Sequence, residues 1–562
     1  MVLAAEESQN EEPGPAAPVT MFGPDFPFPY DDWLRHPAGL GTIPSRWHGT
    51  EVAVVGGGIA GMVAAYELLR LGLRPVLYEA EEIGGRMRSV PFAEHPDVLA
   101  EMGAMRFPLA ATTLFHYIDT VGLRTRHFPN PLDPHTSSTV IDLEGERYRA
   151  RTPDELPNVF AEVADAWDKT LQEGAALSTM TQAIAHRDVP TIKSIWNQLV
   201  PRLDDQSFYG FLAASPAFTS FRHREIFGQI GFGTGGWDTD FPNSVLEILR
   251  IVYTEADADQ RLIVGGSNQL PRGIWSHEPA DSAHWPAGTS LAGLHGGRPR
   301  GAVTELRRTP EGIAVTDADG TRRTYPCVVF TGQHRLLLST VRCDQSLLPR
   351  PHWTALERTH YMSSSKLFVL TDRPFWLDTD PETGEQVMGM TLTDRLPRGV
   401  YVFDDGPDRP GLMCLSYTWN DDSQKIAALD PEERLEVLLS ALEDIYPSVD
   451  IRSHVIAGPV VTTWENEPRF MGAFRANLPG HYRYQRRLFT HFMQRDLPAE
   501  QRGLFLAGDD ISWTGGFAEG AVTTALNAVW GVVRHLGGAC HPDNPGPGDR
   551  YDELAPLELP EG

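Results

Sequence analysis

Residues Glu51–Arg88, EVAVVGGGIAGMVAAYELLRLGLRPVLYEAEEIGGRMR, decide the fold of this chain. The apolar run Val52–Val55 is typical of a buried parallel strand, and it leads directly into a glycine turn. The spacing of apolar residues in Ile59–Leu71 predicts a helix, and Pro75–Tyr78 predicts a second strand that ends at Glu79. The segments therefore predict a βαβ unit with the glycine pattern of dinucleotide-binding folds at its first turn.

Three glycines of the turn have separate physical tasks. Gly56 allows the tight turn, Gly58 lets the backbone approach a pyrophosphate, and Gly61 lets the helix pack closely on the strand. The helix begins at Ile59 and Ala60, where free N–H groups and the positive end of the helix dipole favour phosphate.

An acidic residue and a second glycine turn follow the second strand. Glu79, next to Ala80, can accept the ribose hydroxyls and would repel a phosphate on the 2′-oxygen. Residues 84–88, GGRMR, resemble the GG-x-R motif of the flavin amine oxidase family, whose members hold FAD. The resemblance implies that Gly85 and Arg86 meet the pyrophosphate or the edge of the flavin, and an exposed basic loop is the alternative.

Composition limits the function classes. The chain of 562 residues is longer than a domain with a single hydrophobic core usually is, so two or three domains are expected. With 48 basic and 75 acidic residues the net charge is −27, which disfavours binding of nucleic acid or of an anionic membrane. The four cysteines are widely spaced, so no disulfide scaffold and no metal site is expected, and a cytoplasmic location is predicted. The sequence has no signal peptide pattern and no run of about 18 apolar residues, so no membrane span is predicted.

Together the motifs predict an α/β (mixed α+β) fold. The resemblance implies a Rossmann-type FAD-binding domain, a substrate domain built on a mixed sheet, and a helical insertion. The expected boundaries are a disordered tail (1–20), an aromatic arm that packs on the body or on a second subunit (21–47), a discontinuous FAD-binding domain (48–110, 258–350 and 490–545), a substrate-binding domain (111–155, 225–257 and 351–489), a helical subdomain (156–224) and a C-terminal tail (546–562).

Two residues are candidates for holding a substrate carboxylate. Residues 101–108, EMGAMRFP, resemble the G-x-MR-x-P segment of L-amino acid oxidases in this family. The resemblance implies that Arg106 binds the α-carboxylate and that Met105 and Arg106 lie beside the cofactor. A planar guanidinium takes a carboxylate bidentately, and the alternative for Arg106 is an internal salt bridge. Tyr417, in the predicted strand Leu412–Trp419, resembles the carboxylate-binding tyrosine of this subfamily.

Residues 231–260 bear on the choice of substrate. Asp238 and Asp240 lie on a glycine-rich stretch, and lysine-oxidising members of the family have, at the position of Asp240, an aspartate that pairs with the distal cation. Those members have a cysteine where this chain has Ala256, and Glu255 adds an acid nearby. The expected substrate is therefore a basic L-amino acid, L-arginine or L-lysine, with arginine favoured. A polar loop with solvated acids is the alternative.

Four residues are expected to act beside the flavin. Trp464, in a W-x-x-E-P segment, and Phe474, ten residues later, resemble the family's aromatic wall. Phe517 resembles the second wall, so phenylalanine stands at both positions where many members have tyrosine. Lys366 resembles the family lysine that holds a water at the flavin N5, where O2 is activated.

The last motif is residues 504–521, LFLAGDDISWTGGFAEGA. The family uses the acid at Asp509 for the ribityl chain, and it uses the N-terminus of the following helix for the flavin edge that becomes negative on reduction. The other cofactor contacts that the resemblance implies are Gly508, Gly516, Ala518 and, on the adenine, Val303.

The resemblance extends over Met21–Glu553 and is greatest to the bacterial FAD-dependent L-amino acid 2-monooxygenases and oxidases. Within this group the chain resembles L-lysine oxidase/monooxygenases more than tryptophan 2-monooxygenases. The implied reaction with O2 gives a carboxamide and CO2, or a 2-keto acid with H2O2 and NH3. FAD is expected to be noncovalent and the protein a homodimer. The alternatives are an aromatic L-amino acid (tryptophan or phenylalanine) as substrate, an amine oxidase, and a flavoprotein that does not act on amino acids.

Overall fold

The computed structural model describes residues 21–133, 137–229, 242–280 and 284–560. The α-helices in these ranges are α1 (Tyr30–Arg35), α2 (Ile59–Arg70), α3 (Thr112–Thr120), α4 (Asn158–Ala175), α5 (Leu177–Ala185), α6 (Val189–Leu203), α7 (Phe208–Ala214), α8 (Phe221–Gln229), α9 (Val245–Tyr253), α10 (Gln269–Ser276), α11 (Leu291–Leu294), α12 (Arg350–Arg358), α13 (Asn420–Ala427), α14 (Pro431–Ile445), α15 (Ile451–His454), α16 (Tyr482–Phe489), α17 (Ala518–His535) and α18 (Tyr551–Leu554).

The strands are β1 (Glu51–Val55), β2 (Arg74–Tyr78), β3 (Ser89–Pro91), β4 (Leu99–Glu101), β5 (Phe107–Pro108), β6 (Thr125–His127), β7 (Thr139–Leu143), β8 (Glu146–Ala150), β9 (Gln260–Ile263), β10 (Val303–Thr309), β11 (Gly312–Asp317), β12 (Arg322–Tyr325), β13 (Val328–Phe330), β14 (Arg342–Cys343), β15 (Tyr361–Met362), β16 (Ser364–Thr371), β17 (Met390–Thr393), β18 (Gly399–Phe403), β19 (Gly411–Trp419), β20 (Val455–Thr463), β21 (Phe474–Arg475) and β22 (Leu504–Leu506). This mixture of helices and sheets confirms the predicted fold class.

A parallel sheet of four strands has the order β2–β1–β13–β22. Every residue of β13 and β22 is buried, which is typical of a parallel sheet covered on both faces. β1, α2 and β2 begin and end within one residue of the predicted segments, so the βαβ unit is confirmed. Since β1, β13 and β22 run in the same direction, their carboxyl ends meet at one edge of the sheet.

A second, mixed sheet has seven strands in the order β20–β16–β19–β18–β17–β7–β8. Its central pair, β16 and β19, places Lys366 opposite Tyr417. The stretch Asp372–Gly399 has the composition of a polar loop, but it contains β17, which pairs with β7. A small sheet, β5–β9–β6, pairs Phe107 with Arg261 and so brings the segment after Arg106 against β9.

The aromatic arm, residues 21–47, packs on the body of the same chain. The ring of Phe26 lies 5.4 Å from that of Phe489, measured between centroids. The Tyr30 hydroxyl donates to Asn527 Oδ1 at 2.8 Å, and Trp33 is buried. The arm therefore forms part of the main hydrophobic core.

In the described ranges no helix has the length and apolar composition to cross a bilayer. The same residues contain no group of three or more His, Cys, Asp or Glu side chains arranged to hold a metal ion. All four cysteines are free thiols.

Candidate active site

A cavity of about 570 Å³ lies between the carboxyl edge of the parallel sheet and the seven-stranded sheet. Every residue predicted to bind the cofactor lines this cavity, with the exception of Gly61. The predicted residues Lys366, Tyr417, Trp464 and Phe474 line it too. The structure therefore brings together motifs that are up to about 460 positions apart in the sequence.

The first glycine turn has the geometry that its sequence predicts. Gly56 has a φ of +111°, which favours glycine. A Cβ at Gly61 would lie 1.9 Å from the carbonyl oxygen of Gly56, so Gly61 serves the packing of helix on strand and not the cavity wall. The backbone N–H groups of Gly57 and Glu81 donate to the Glu79 carboxylate at 2.5 and 2.8 Å, which fixes the carboxylate at the end of β2.

The second glycine turn carries Arg86 into the cavity. Gly85 has a φ of +59°, and a Cβ there would lie 3.2 Å from the Cα of Gly58. The Arg86 guanidinium donates to the Ala473 carbonyl at 2.8 Å and forms a bidentate ion pair with Asp509. Arg86 and Asp509, which are predicted separately as cofactor contacts, thus also bind each other.

The residues present fit FAD. A Cβ at Gly58 would have no heavy atom nearer than 3.9 Å, so the backbone at the start of α2 faces open space that phosphates can enter. The Glu79 carboxylate at the end of β2 lines the cavity and can accept ribose hydroxyls, and Val303 lines the same cavity. α17 begins directly after Phe517, and its N-terminus is a second positive dipole end at the cavity, suited to a flavin edge that becomes negative.

Arg106 is held among three aromatic rings. Its guanidinium carbon lies 5.7 Å from the ring centroid of Phe128, 5.8 Å from that of Tyr401 and 5.7 Å from that of Tyr417. Such rings attract a cation through their negative faces. The guanidinium is therefore kept in a fixed place in the cavity wall, where a substrate carboxylate can meet it.

Lys366 lines the same cavity as Arg106. Its ammonium group donates to the carbonyls of Gly103 and Glu101 at 2.6 and 3.0 Å and lies 4.5 Å from the ring centroid of Tyr417. Burial lowers the pKa of Lys366 to about 8, because the charged form loses its hydration there. The lysine thus ties the segment before Arg106 to the seven-stranded sheet.

The aromatic residues predicted beside the flavin come together in the cavity. Phe474 and Phe517 both line it, and a Cβ at Gly516 would lie 2.9 Å from Phe474 Cδ2. The turn before Phe517 is therefore in contact with the Phe474 ring. Trp464 donates from Nε1 to the Met102 carbonyl at 3.1 Å, which fixes the indole in the same wall.

The structure does not bring all the predicted substrate residues into the cavity. Ala256 lines it, but Glu255, which has a φ of +50°, does not. The expected acidic neighbour is instead Asp257, which lines the cavity and whose pKa is raised by burial. Asp238 and Asp240 lie outside the described residues.

Sequence reasoning missed two further groups. Trp419 lines the cavity, and its ring centroid lies 4.7 Å from that of Tyr417. Alternation along a strand places residues i and i+2 on one face, so this signal was present in the sequence. For Tyr401 and Phe128, which contact Arg106, the sequence carries no such signal, because their segments meet Arg106 only in the folded chain.

Comparison with known proteins identifies the family. The family model described as "Flavin containing amine oxidoreductase" matches residues 59–533. The chain belongs to this family. Two solved structures share the fold: putrescine oxidase with putrescine bound (TM-score 0.64, 19% identity, 86% of this chain and 99% of that one), and cyclohexylamine oxidase from Brevibacterium oxydans (0.63, 18%, 87% and 100%).

Three relatives narrow the activity of this flavin amine oxidase. The chain is 35% identical to tryptophan 2-monooxygenase of Pseudomonas savastanoi, over 93% of this chain and 96% of the relative. It is 32% identical to tryptophan 2-monooxygenase of Pantoea agglomerans pv. gypsophilae (89% and 92%) and 24% identical to the L-amino-acid oxidase of Siganus canaliculatus (86% and 85%). The chain is an FAD-dependent L-amino acid monooxygenase or oxidase.

The same relatives correct one prediction. The expectation of a basic L-amino acid, L-arginine or L-lysine, is wrong, because the Pseudomonas savastanoi and Pantoea agglomerans relatives, at 35% and 32% identity, are tryptophan 2-monooxygenases and match over nearly their whole length. The prediction depended on Asp238, Asp240 and Glu255. Of these, Glu255 does not line the cavity, and the two aspartates were chosen by resemblance alone. The aromatic alternative is the better supported one.

Proposed function

We propose that this flavoenzyme oxidises an aromatic L-amino acid, with L-tryptophan as the first candidate, and that its main product is the carboxamide. The similarity to two tryptophan 2-monooxygenases over about nine-tenths of the chain carries the choice of an aromatic side chain. The position of Arg106 in the cavity wall supports an amino acid over a simple amine, because only the former has a carboxylate to bind.

In this proposal Arg106 and Tyr417 hold the α-carboxylate, and the Cα–H group lies between Phe474 and Phe517. When bound, FAD accepts the hydride, so the protein contributes mainly orientation. Three other cavity residues, Ile251, Leu392 and Trp419, present apolar surface on which an aromatic side chain can pack. This wall supports an aromatic substrate.

The proton on the substrate nitrogen needs a destination, because the amine must be neutral to lose hydride. No histidine lines the cavity among the residues that the structure describes. The proton leaves to water or, when the pH is near or above the Lys366 pKa of about 8, to the neutral Lys366 amine. The carboxamide forms, with loss of CO2 and water, when the imino acid meets the H2O2 made from O2 while both are still in the cavity. The keto acid and NH3 form when the imino acid escapes and is hydrolysed, and the H2O2 is then released.

The cofactor is bound without a covalent link in this proposal. Neither a cysteine nor a histidine is found among the described residues of the lining, so the usual nucleophiles for flavin attachment are not at hand. Denaturing the protein in acid should release all the FAD into the supernatant. Flavin that stays with the precipitated chain would contradict noncovalent binding.

The first experiment is anaerobic mixing of the purified holoenzyme with L-tryptophan, L-phenylalanine, L-lysine and L-arginine. We expect the aromatic pair, and not the basic pair, to bleach the flavin. Tryptamine serves as the matched control, because it has the side chain and amine of tryptophan without the carboxylate. Reduction by tryptamine as fast as by tryptophan would contradict an amino acid site.

Mass analysis after admission of air then separates the two outcomes. Indole-3-acetamide from tryptophan identifies a 2-monooxygenase. The 2-keto acid together with H2O2 and NH3 identifies an oxidase, and it would overturn the carboxamide as the main product.

A further inference from the structure

We infer that Asp25, in the aromatic arm, is a positioning residue for the two phenylalanine walls of the active site. It begins a chain of four buried charges, Asp25, Arg250, Glu247 and Arg475, which we call the charge chain. Their exposed fractions are 0%, 2%, 6% and 0%, in that order. The inference goes beyond the proposed function and does not depend on which amino acid is oxidised.

Each link of the charge chain is a direct ion pair. Arg250 donates from Nε and Nη2 to the Asp25 carboxylate at 2.7 and 3.0 Å, and from Nη1 to Glu247 Oε1 at 2.7 Å. Arg475 Nη1 donates to both oxygens of Glu247 at 2.9 Å. Two carboxylates thus alternate with two guanidinium groups and balance them in a region that water does not reach.

The far end of the charge chain is next to the first wall in the sequence and contacts the turn that leads to the second. Arg475 follows Phe474 in β21, so the position of its side chain fixes the strand that carries the first wall. Its Nη2 donates to the Ser512 carbonyl at 2.8 Å. A Cβ at Gly515 would lie 2.1 Å from the Arg475 carbonyl oxygen, so the turn that leads to Phe517 packs directly against Arg475.

The near end is fixed by the core. The indole Nε1 of Trp196 donates to Asp25 Oδ1 at 2.9 Å, and the neighbouring residue Phe26 packs on Phe489. The Arg250 guanidinium carbon lies 5.0 Å from the ring centroid of Trp513, in the turn before Phe517. The arm contributes no residue to the cavity lining. It is therefore connected to the walls of the active site through the ion pairs of the charge chain.

Loss of the Asp25 charge has a defined consequence. In Asp25→Asn, three charges remain, and Arg250 and Arg475 compete for the single carboxylate of Glu247. We expect Arg475 to shift and to release the 512–516 turn. In Asp25→Asn/Arg250→Gln only the balanced pair Glu247–Arg475 remains, so the double variant should recover part of the loss.

The first test is hydrogen–deuterium exchange of the protein without substrate. In Asp25→Asn we expect faster exchange at residues 472–477 and 510–517, and slower exchange again in the double variant. The matched control is Asp32→Asn in the same arm, because Asp32 is 69% exposed and pairs with Arg187 at 2.6 Å. Unchanged exchange at both segments in Asp25→Asn would overturn the inference, as would an equal change in Asp32→Asn.

The second test is the rate of flavin reduction by whichever amino acid reduces the wild-type enzyme. We expect a fall of about 10- to 100-fold in Asp25→Asn, because small misplacements at a reacting centre have effects of this size. KM should change less than kcat, and Asp25→Glu should retain more of the rate than Asp25→Asn. If the double variant is slower than Asp25→Asn, or if only the thermal midpoint changes, the charge chain serves stability alone and the inference fails.

Discussion

Arg86 forms a bidentate ion pair with Asp509, although 423 positions separate the two residues in the sequence. Arg86 lies in the second glycine turn, and Asp509 follows the last strand of the parallel sheet. Their side chains are 23% and 10% exposed, so the pair is largely shielded from water. The ion pair therefore joins two segments of the cavity lining that are far apart in the sequence.

Removal of the Asp509 charge should weaken FAD binding. In Asp509→Asn, Arg86 loses its charged partner and the 516 backbone N–H, which donates to Asp509 at 3.3 Å, loses an anionic acceptor. We expect the Kd for FAD, measured by titration of the apoprotein, to rise about 10- to 100-fold. Asp496→Asn is the control, because Asp496 is 86% exposed and pairs only at the surface. Equal Kd values for Asp509→Asn and wild type would contradict the prediction.

Arg106 should be needed for amino acids and not for FAD. Arg106→Ala leaves the substrate carboxylate in the cavity without its guanidinium, and we expect kcat/KM to fall about 100-fold or more. Arg106→Lys should recover only part of this, because an ammonium cannot bind a carboxylate bidentately. The flavin content of both variants should equal that of wild type. Undiminished turnover in Arg106→Ala would show that the carboxylate is bound elsewhere.

Gly516 should be intolerant of a side chain for a reason beyond its own backbone. Its φ is +86°, and a Cβ would lie 2.9 Å from Phe474 Cδ2. Gly320 has a φ of +80° with no heavy atom within 4 Å, so Gly320→Ala carries the same backbone strain without the contact. We expect a similar fall in thermal midpoint in both variants but about 10-fold slower flavin reduction in Gly516→Ala only. Equal rates of flavin reduction in the two variants would contradict the prediction, because displacement of the Phe474 ring would then not affect the reaction.

Lys366 should make stability depend on pH in an alkaline range. Its pKa of about 8 in the folded protein lies below the ordinary 10.5. Between these values the unfolded chain binds more protons, so this residue makes the free energy of unfolding rise with pH, by about 3 kcal/mol in all. Thermal midpoints of wild type and Lys366→Met, measured from pH 7 to pH 10.5, should differ increasingly in favour of wild type above pH 8. A difference that stays constant with pH would contradict the lowered pKa.

The parts of the molecule that the sequence predicts well are those set by neighbours in the chain. The βαβ unit needs only the apolar runs and glycines of Glu51–Arg88, and its elements lie within one residue of the prediction. The sequence around β17 does not predict a strand, because the partner strand β7 lies about 250 positions earlier and no local pattern indicates the pairing. The pairing of Arg86 with Asp509 is missing from the prediction for the same reason.

The substrate residues were predicted less well, since a position in a sequence does not tell which way a side chain faces. Glu255 and Asp257 are two residues apart, but only Asp257 lines the cavity. Glu255 also has a left-handed backbone, which is uncommon for a residue other than glycine and which the sequence does not indicate. The resemblance over this loop therefore favoured a basic substrate, which the relatives named for tryptophan contradict.

The strand order of the parallel sheet also constrains how the protein is made. Because β22 is an edge strand beside β13, the dinucleotide sheet is incomplete until residue 506 has left the ribosome. Until then the backbone of β13 is an open edge, which another chain can pair with. We therefore expect FAD to bind only after β22 has been synthesised, and we expect chains that end before β22 to aggregate more readily.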